Sequence, residues 1–137
     1  MQLNDNKDKG RAGLSLAIAY FGANGYTVSI PLNDTQWYDL IVEKNGIFQT
    51  VQCKFTASAD KSISLRSTGG SKGKIYDNVL NHSLDILFCV DDNMNLFLIP
   101  MEDLRKAGNI NSITLRTERS SFSNVKSFDT SKYIVKI

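Results

Sequence analysis

Several classes of protein are excluded by what this 137-residue sequence lacks. No apolar run approaches the roughly 18 residues that a membrane-spanning helix needs. The opening "MQLNDNKDKG" is polar, with no apolar stretch of the secretory-signal kind. Only two cysteines are present. Cys53 and Cys89 each sit inside an apolar, strand-like run, and no second Cys or His stands at zinc-site spacing. They are expected to be buried free thiols in a cytoplasmic protein. Self-similar repeats and long low-complexity tracts are absent, so a single domain, residues 1–137, is expected.

Strong charge is also missing. The net charge is only +2, so the global balance does not announce a nucleic-acid partner. The distribution is less even. Lys54, Lys61, Arg66, Lys72 and Lys74 crowd 54–74 against Asp60 alone, whereas 85–103 carries Asp85, Asp91, Asp92, Glu102 and Asp103 with nothing basic. A basic segment of this kind suits phosphate, or forms solvated loops. "GGSKGK" does not meet the spacing of a phosphate-binding P-loop.

The hydrophobic pattern gives a coarse element order. Leu14, Ala17, Ile18 and Phe21 recur at helical spacing in "KGRAGLSLAIAYFGANGY", and Gly22, Asn24 and Gly25 supply a stop. "YTVSIP" predicts a short strand. "YDLIVEK" and "GIFQTVQCKF" predict two strands joined at "NG", a strong hairpin signal. "SISLRS" predicts a further strand, and "IYDNVLNHS" one or two helical turns. "LDILFCVDD" and "NLFLIP" predict a second hairpin across "DNMN". "MEDLRKAG" predicts a short helix between Pro100 and Gly108, "SITLRT" a strand, and "KYIVKI" an edge strand. The sum is an α/β (α+β mixed) domain on a central sheet.

One stretch carries chemistry. In "VQCKF", Gln52 and Lys54 share one face of a strand, and Val51, Cys53 and Phe55 share the other. The polar face is either solvent or a site. Asp39 lies on the neighbouring strand. It supplies an anionic oxygen, Gln52 a neutral amide oxygen, and Cys53 its backbone carbonyl, a hard-oxygen set that suits Mg²⁺, with Mn²⁺ as a substitute. Such an ion would activate water for phosphodiester hydrolysis. Lys54 would orient the water or stabilise the charge developing on phosphate. Spacing alone does not separate this arrangement from an exposed polar hairpin face.

The run "KGRAG … GYTVSIP … YDLIVEKNGIFQTVQCKF … DILFCVDDNMNLFLIPMEDL" resembles the PD-(D/E)-XK nuclease superfamily over roughly residues 8–105. It looks closest to the small homing endonucleases of that fold associated with group I introns, where Gln replaces the acid of the ExK motif. Holliday-junction resolvases share the core but carry a carboxylate where Gln52 stands. The resemblance implies a restriction-endonuclease-like α-β-β-β-α-β core with a central mixed sheet. It also implies Mg²⁺-dependent double-strand DNA cleavage by a homo-oligomer, a dimer or tetramer. Carried over by position, Asp39 is the metal-binding acid, Gln52 the variant second ligand and Lys54 the active-site lysine. Leu14 departs from this pattern, standing where "KGxxG" would be followed by glutamate. The site then has one clear carboxylate, which implies weaker metal binding and one ion rather than two. Ser15, Glu43 and Asp8 are the polar residues open as compensators.

The remaining candidates are peripheral. Arg11, Lys61, Arg66, Lys72 and Lys74 are candidate DNA contacts. Tyr76 fits either a DNA groove or the core. Trp37 fits a base stack or partial burial at a strand start. His82, the only histidine, fits a satisfied surface or capping role better than a catalytic base. Arg116 and Arg119 reach DNA or solvent. Three functions follow: a sequence-specific homing endonuclease, the reading adopted; a structure-selective junction resolvase; and a DNA-binding module of the same fold without catalysis. An unrelated small α/β domain with no nucleic-acid role is the fourth.

Overall fold

The computed structural model describes residues 5–33, 35–68, 76–108, 110–118 and 128–137. The first helix, α1 (Asn6–Ala23), starts earlier than the apolar stripe alone predicts. Asp5 caps it by accepting the Asp8 amide at 2.8 Å, and its Oδ1 satisfies a donor that the first turn leaves unpaired. The chain leaves through Gly25 at φ +84°, a conformation that favours glycine. The buried residues of α1 are Gly13, Ala17 and Phe21, with Leu14 and Ile18 half-buried beside them.

Six strands form the main sheet, in the order β1-β2-β3-β7-β8-β10. They are β1 (Thr27–Ser29), β2 (Leu40–Lys44), β3 (Ile47–Thr56), β7 (Ile86–Asp91), β8 (Leu96–Pro100) and β10 (Ile134–Val135). β3 and β7 are parallel and the other pairings antiparallel, so the sheet is mixed. At the β2–β3 turn, Asn45 and Gly46 take φ +54° and +80°. Positive φ at both central residues is what a two-residue hairpin turn requires. β7 is buried at every position, as expected of a continuous apolar strand covered on both faces.

Register assigns side chains to faces. Val51, Cys53 and Phe55 lie beside Ile86, Phe88 and Val90 on the face that α1 covers with Ala17 and Phe21. Gln52 and Lys54 lie beside Leu87 and Cys89 on the opposite face. There Leu87, Cys89, Phe97 and Ile99 meet Leu65, Leu84, Met101, Leu104 and Ile113.

The crossover from β3 to β7 supplies that second layer. Its described residues form β4 (Ser62–Ser64), β5 (Arg66–Thr68), β6 (Tyr76–Asn78) and a 3-10 turn at Val79–Asn81. They contain no α-helix, and the second one, α2 (Met101–Lys106), follows β8 directly. β4 pairs with β9 (Ser112–Thr114) from far along the chain, and β5 pairs with β6. Of "IYDNVLNHS", where the sequence predicts one or two helical turns, Val79–Asn81 form a 3-10 turn but Tyr76–Asn78 pair with β5 as a strand, and β10 is the edge strand expected in "KYIVKI". Among the described residues, no helix is long and apolar enough to cross a membrane.

Candidate active site

The site is built where β2 begins against the middle of β3. Leu40, the first residue of β2, pairs with Val51, and Asp39 lies in a bend just ahead of it rather than on the strand itself. The Asp39 amide donates to the Val51 carbonyl at 2.8 Å. The Cys53 amide donates to Asp39 Oδ2, also at 2.8 Å. In an extended strand the N–H and C=O of one residue point to the same side. The Cys53 carbonyl therefore faces the edge that Asp39 occupies.

Gln52 is half-buried, and its Oε1 is fully shielded with no hydrogen-bond partner. A buried acceptor in that state carries a desolvation penalty of about 1–3 kcal/mol. An orphaned amide oxygen, a carboxylate and a backbone carbonyl at one strand junction are hard donors, the set a divalent cation such as Mg²⁺ takes. The residues present fit such an ion. The family's other acids do not add to them. Leu14 packs with the apolar cluster under α1. Asp8 is engaged by its ion pair to Arg11 at 2.6 Å. Glu43 lies toward the hairpin tip, opposite Phe48. Ser15 is exposed on α1. Among the described residues no three His, Cys, Asp or Glu side chains cluster as a metal group would.

Burial shifts the titration of the groups at this junction. Asp39 is exposed as a residue, but its carboxyl lies against the β3 backbone, and burial raises its pKa. The Cys53 amide and the charge of Lys54 pull it back down. Burial likewise lowers the pKa of Lys54, against the opposing influence of Cys89 and Asp39. Burial also pushes the Cys53 thiol well above its ordinary value, which keeps this sulfur in its unreactive neutral form.

The peripheral candidates scatter. Arg11 is exposed on α1 and paired with Asp8. Lys61 sits at φ +57° and is ion-paired with Asp92 in the β7–β8 turn. Arg66 is exposed at the start of β5. Tyr76 opens β6. Lys72, Lys74 and Arg119 lie outside the described residues. The acidic run of the sequence is structural: Asp85 accepts the Thr50 amide at 2.8 Å, Asp91 ties the turn through Asn93 and Asn95, and Asp103 accepts from the Tyr133 hydroxyl. Segregation of charge along the chain is thus partly cancelled in space by Lys61–Asp92.

Two features had no local sequence signal. Arg105 on α2 clamps the carbonyls of His82 and Leu84 at 2.7 and 3.0 Å. Trp37 stacks on His82, ring centres 3.6 Å apart, so one face of the indole is already occupied.

No curated protein matches the sequence. A solved structure described as that of a bacterial homing endonuclease, I-Ssp6803I, superposes with a TM-score of 0.71 at 18% identity, covering 96% of this chain and 89% of that one. At that identity the likeness establishes the fold. The family model described as PD-(D/E)XK endonuclease matches residues 4–133. With nearly the whole length matched, the chain belongs to the PD-(D/E)XK endonuclease family.

Proposed function

We propose that the chain is a Mg²⁺-dependent, sequence-specific DNA endonuclease of the homing type. The observation that carries this reading is the orphaned, buried Gln52 Oε1 on the strand that also holds the Asp39 carboxylate through the Cys53 amide. Asp39, Gln52 Oε1 and the Cys53 carbonyl would hold the ion. When bound, it lowers the pKa of a coordinated water and polarises the phosphate. Mn²⁺ can replace Mg²⁺ on the same oxygens.

The chain's own residues do the rest. Asp39 contributes the anionic donor, fixed in orientation by the Cys53 amide. Lys54, on the same face as Gln52, orients the attacking water or steadies the charge that develops on phosphate. Hydrolysis is a single displacement. The water oxygen bonds to phosphorus, the bond to the leaving sugar oxygen breaks, and protons pass to that oxygen and to solvent. No covalent intermediate is needed.

One such site cuts one strand. Double-strand cleavage therefore calls for a symmetric homo-oligomer, a dimer or tetramer, which also lengthens the DNA footprint. Gln52 in place of the carboxylate carried by junction resolvases favours the homing type over that relative. Free Cys53 and Cys89 fit action in the cytoplasm.

The test is cleavage at low salt of plasmid with diverse inserts beside a labelled four-way junction, with Mg²⁺, Mn²⁺ or Ca²⁺. Discrete duplex cuts that need Mg²⁺ or Mn²⁺ and vanish in Asp39→Ala are expected. Junction cutting alone would move the reading to a resolvase. Salt-dependent binding without cutting, reversed by Leu14→Glu, would identify a DNA-binding module that has lost its helix carboxylate.

A further inference from the structure

Asp39 owes its place to a segment with little structure of its own. Between β1 and β2 the described residues 30–33 and 35–39 form only bends and irregular backbone. The segment is held by side chains and isolated bonds rather than by a ladder. Gln36 bonds within it, Asp39 meets β3, and Trp37 stacks on His82 at an interplanar angle of 17°. Trp37 and Tyr38 also pack against the crossover-side apolar cluster, so the His82 stack adds to that packing and gives the indole, two residues from Asp39, a defined partner on one face.

His82 is built as a fixed post. Its amide closes the 3-10 turn on the Val79 carbonyl at 3.2 Å, and its carbonyl accepts from Arg105 and from the Leu84 amide. Its Nε2 lies 3.0 Å from Asp77 Oδ2. Asp77 is itself held by the Asn81 side chain and the Asn78 amide, at 2.7 and 2.8 Å. The imidazole therefore has both backbone and ring position determined before Trp37 leans on it. A stack this close, with a partner this constrained, is more than casual surface contact.

We propose that His82 is a positioning residue for Asp39, acting through the Trp37 ring: it ties the crossover layer to the irregular segment and so sets where the Asp39 carboxylate stands. The functional consequence rests on the reading of Asp39 as the metal-binding acid, whereas the positional claim does not.

The test separates the two. Trp37 is the only tryptophan, so its emission reports whether the stack survives. It should change in His82→Ala and be retained in His82→Phe, which keeps a stacking ring. Hydrogen exchange at the Cys53 amide reports whether Asp39 is still in place. In His82→Ala this amide should exchange about 10-fold faster, the size expected for loss of one aromatic stack, while the amides of Phe88 and Val90 stay unchanged. His82→Phe should restore most of the protection. With Mg²⁺ and cleavable DNA, His82→Ala should lose kcat by a similar factor and need more Mg²⁺, with KM for DNA unchanged. Unchanged exchange at Cys53, or equal acceleration at Phe88, overturns the proposal. If the native protein cuts no DNA, the functional reading fails, and the exchange result still decides the positional one.

Discussion

The two faces of β3 show how one strand serves two ends. Toward α1, Val51, Cys53 and Phe55 join Phe21 and Phe88 in a closed apolar layer. Toward the crossover, Gln52 and Lys54 enter beside Leu87 and Cys89, bringing an unpartnered amide oxygen and a partly buried ammonium to an otherwise apolar surface. Alternation of side chains along a strand makes this division possible without an extra element. The first face is optimised for packing, while the second gives up stability to keep polar groups at a fixed place. Native proteins make that trade at functional sites.

Substitutions can break this comparison. The largest effect on folding is expected on the α1 face. Phe88→Ala should lose about 3–5 kcal/mol, as other buried Phe truncations do, and denaturant unfolding would show it. On the opposite face a side chain can be replaced with the fold intact but the chemistry lost. Lys54→Met should reduce cleavage by roughly 10²-fold, the lower end for removal of one electrostatic stabiliser, while thermal stability holds or rises. It rises because burial already opposes the charge of Lys54.

The smallest effect concerns pH. Burial raises the Asp39 pKa in the folded protein above the value near 3.9 of an unfolded chain. Between those two values the native state binds more protons than the unfolded state. Stability of the metal-free protein therefore falls as pH rises through that window, and above it the ionised carboxylate remains a cost. Asp39→Asn keeps an acceptor for the Cys53 amide and removes the charge. Its melting temperature should exceed that of the native protein at neutral pH, and the difference should shrink as pH falls through the window. A lower melting temperature at neutral pH would contradict the assignment of burial as the dominant influence.

Much of this was legible locally. "NG" between two alternating runs specified the β2–β3 hairpin, and "LDILFCVDD" with "NLFLIP" specified the β7–β8 hairpin, because turn chemistry and periodicity act over a few residues. Placing Gln52 and Lys54 on one face required only strand alternation. The pairing of β4 with β9, and the absence of an α-helix from the described crossover, depend on partners far along the chain and leave no local pattern. The same holds for Trp37 on His82 and for Arg105 on the His82 and Leu84 carbonyls. The basic and acidic segments misled in part. Lys61 and Asp92 stand 31 positions apart, and only the fold joins them.

The most direct measurement is cleavage by Asp39→Asn, made on the same preparation whose melting temperature has been recorded. A variant at least as stable as the native protein, with no Mg²⁺- or Mn²⁺-dependent cutting of the DNA that the native protein cuts, is the result expected if this carboxylate is the anionic donor of the site. A stable variant that still cuts would show that the chemistry lies elsewhere on the molecule.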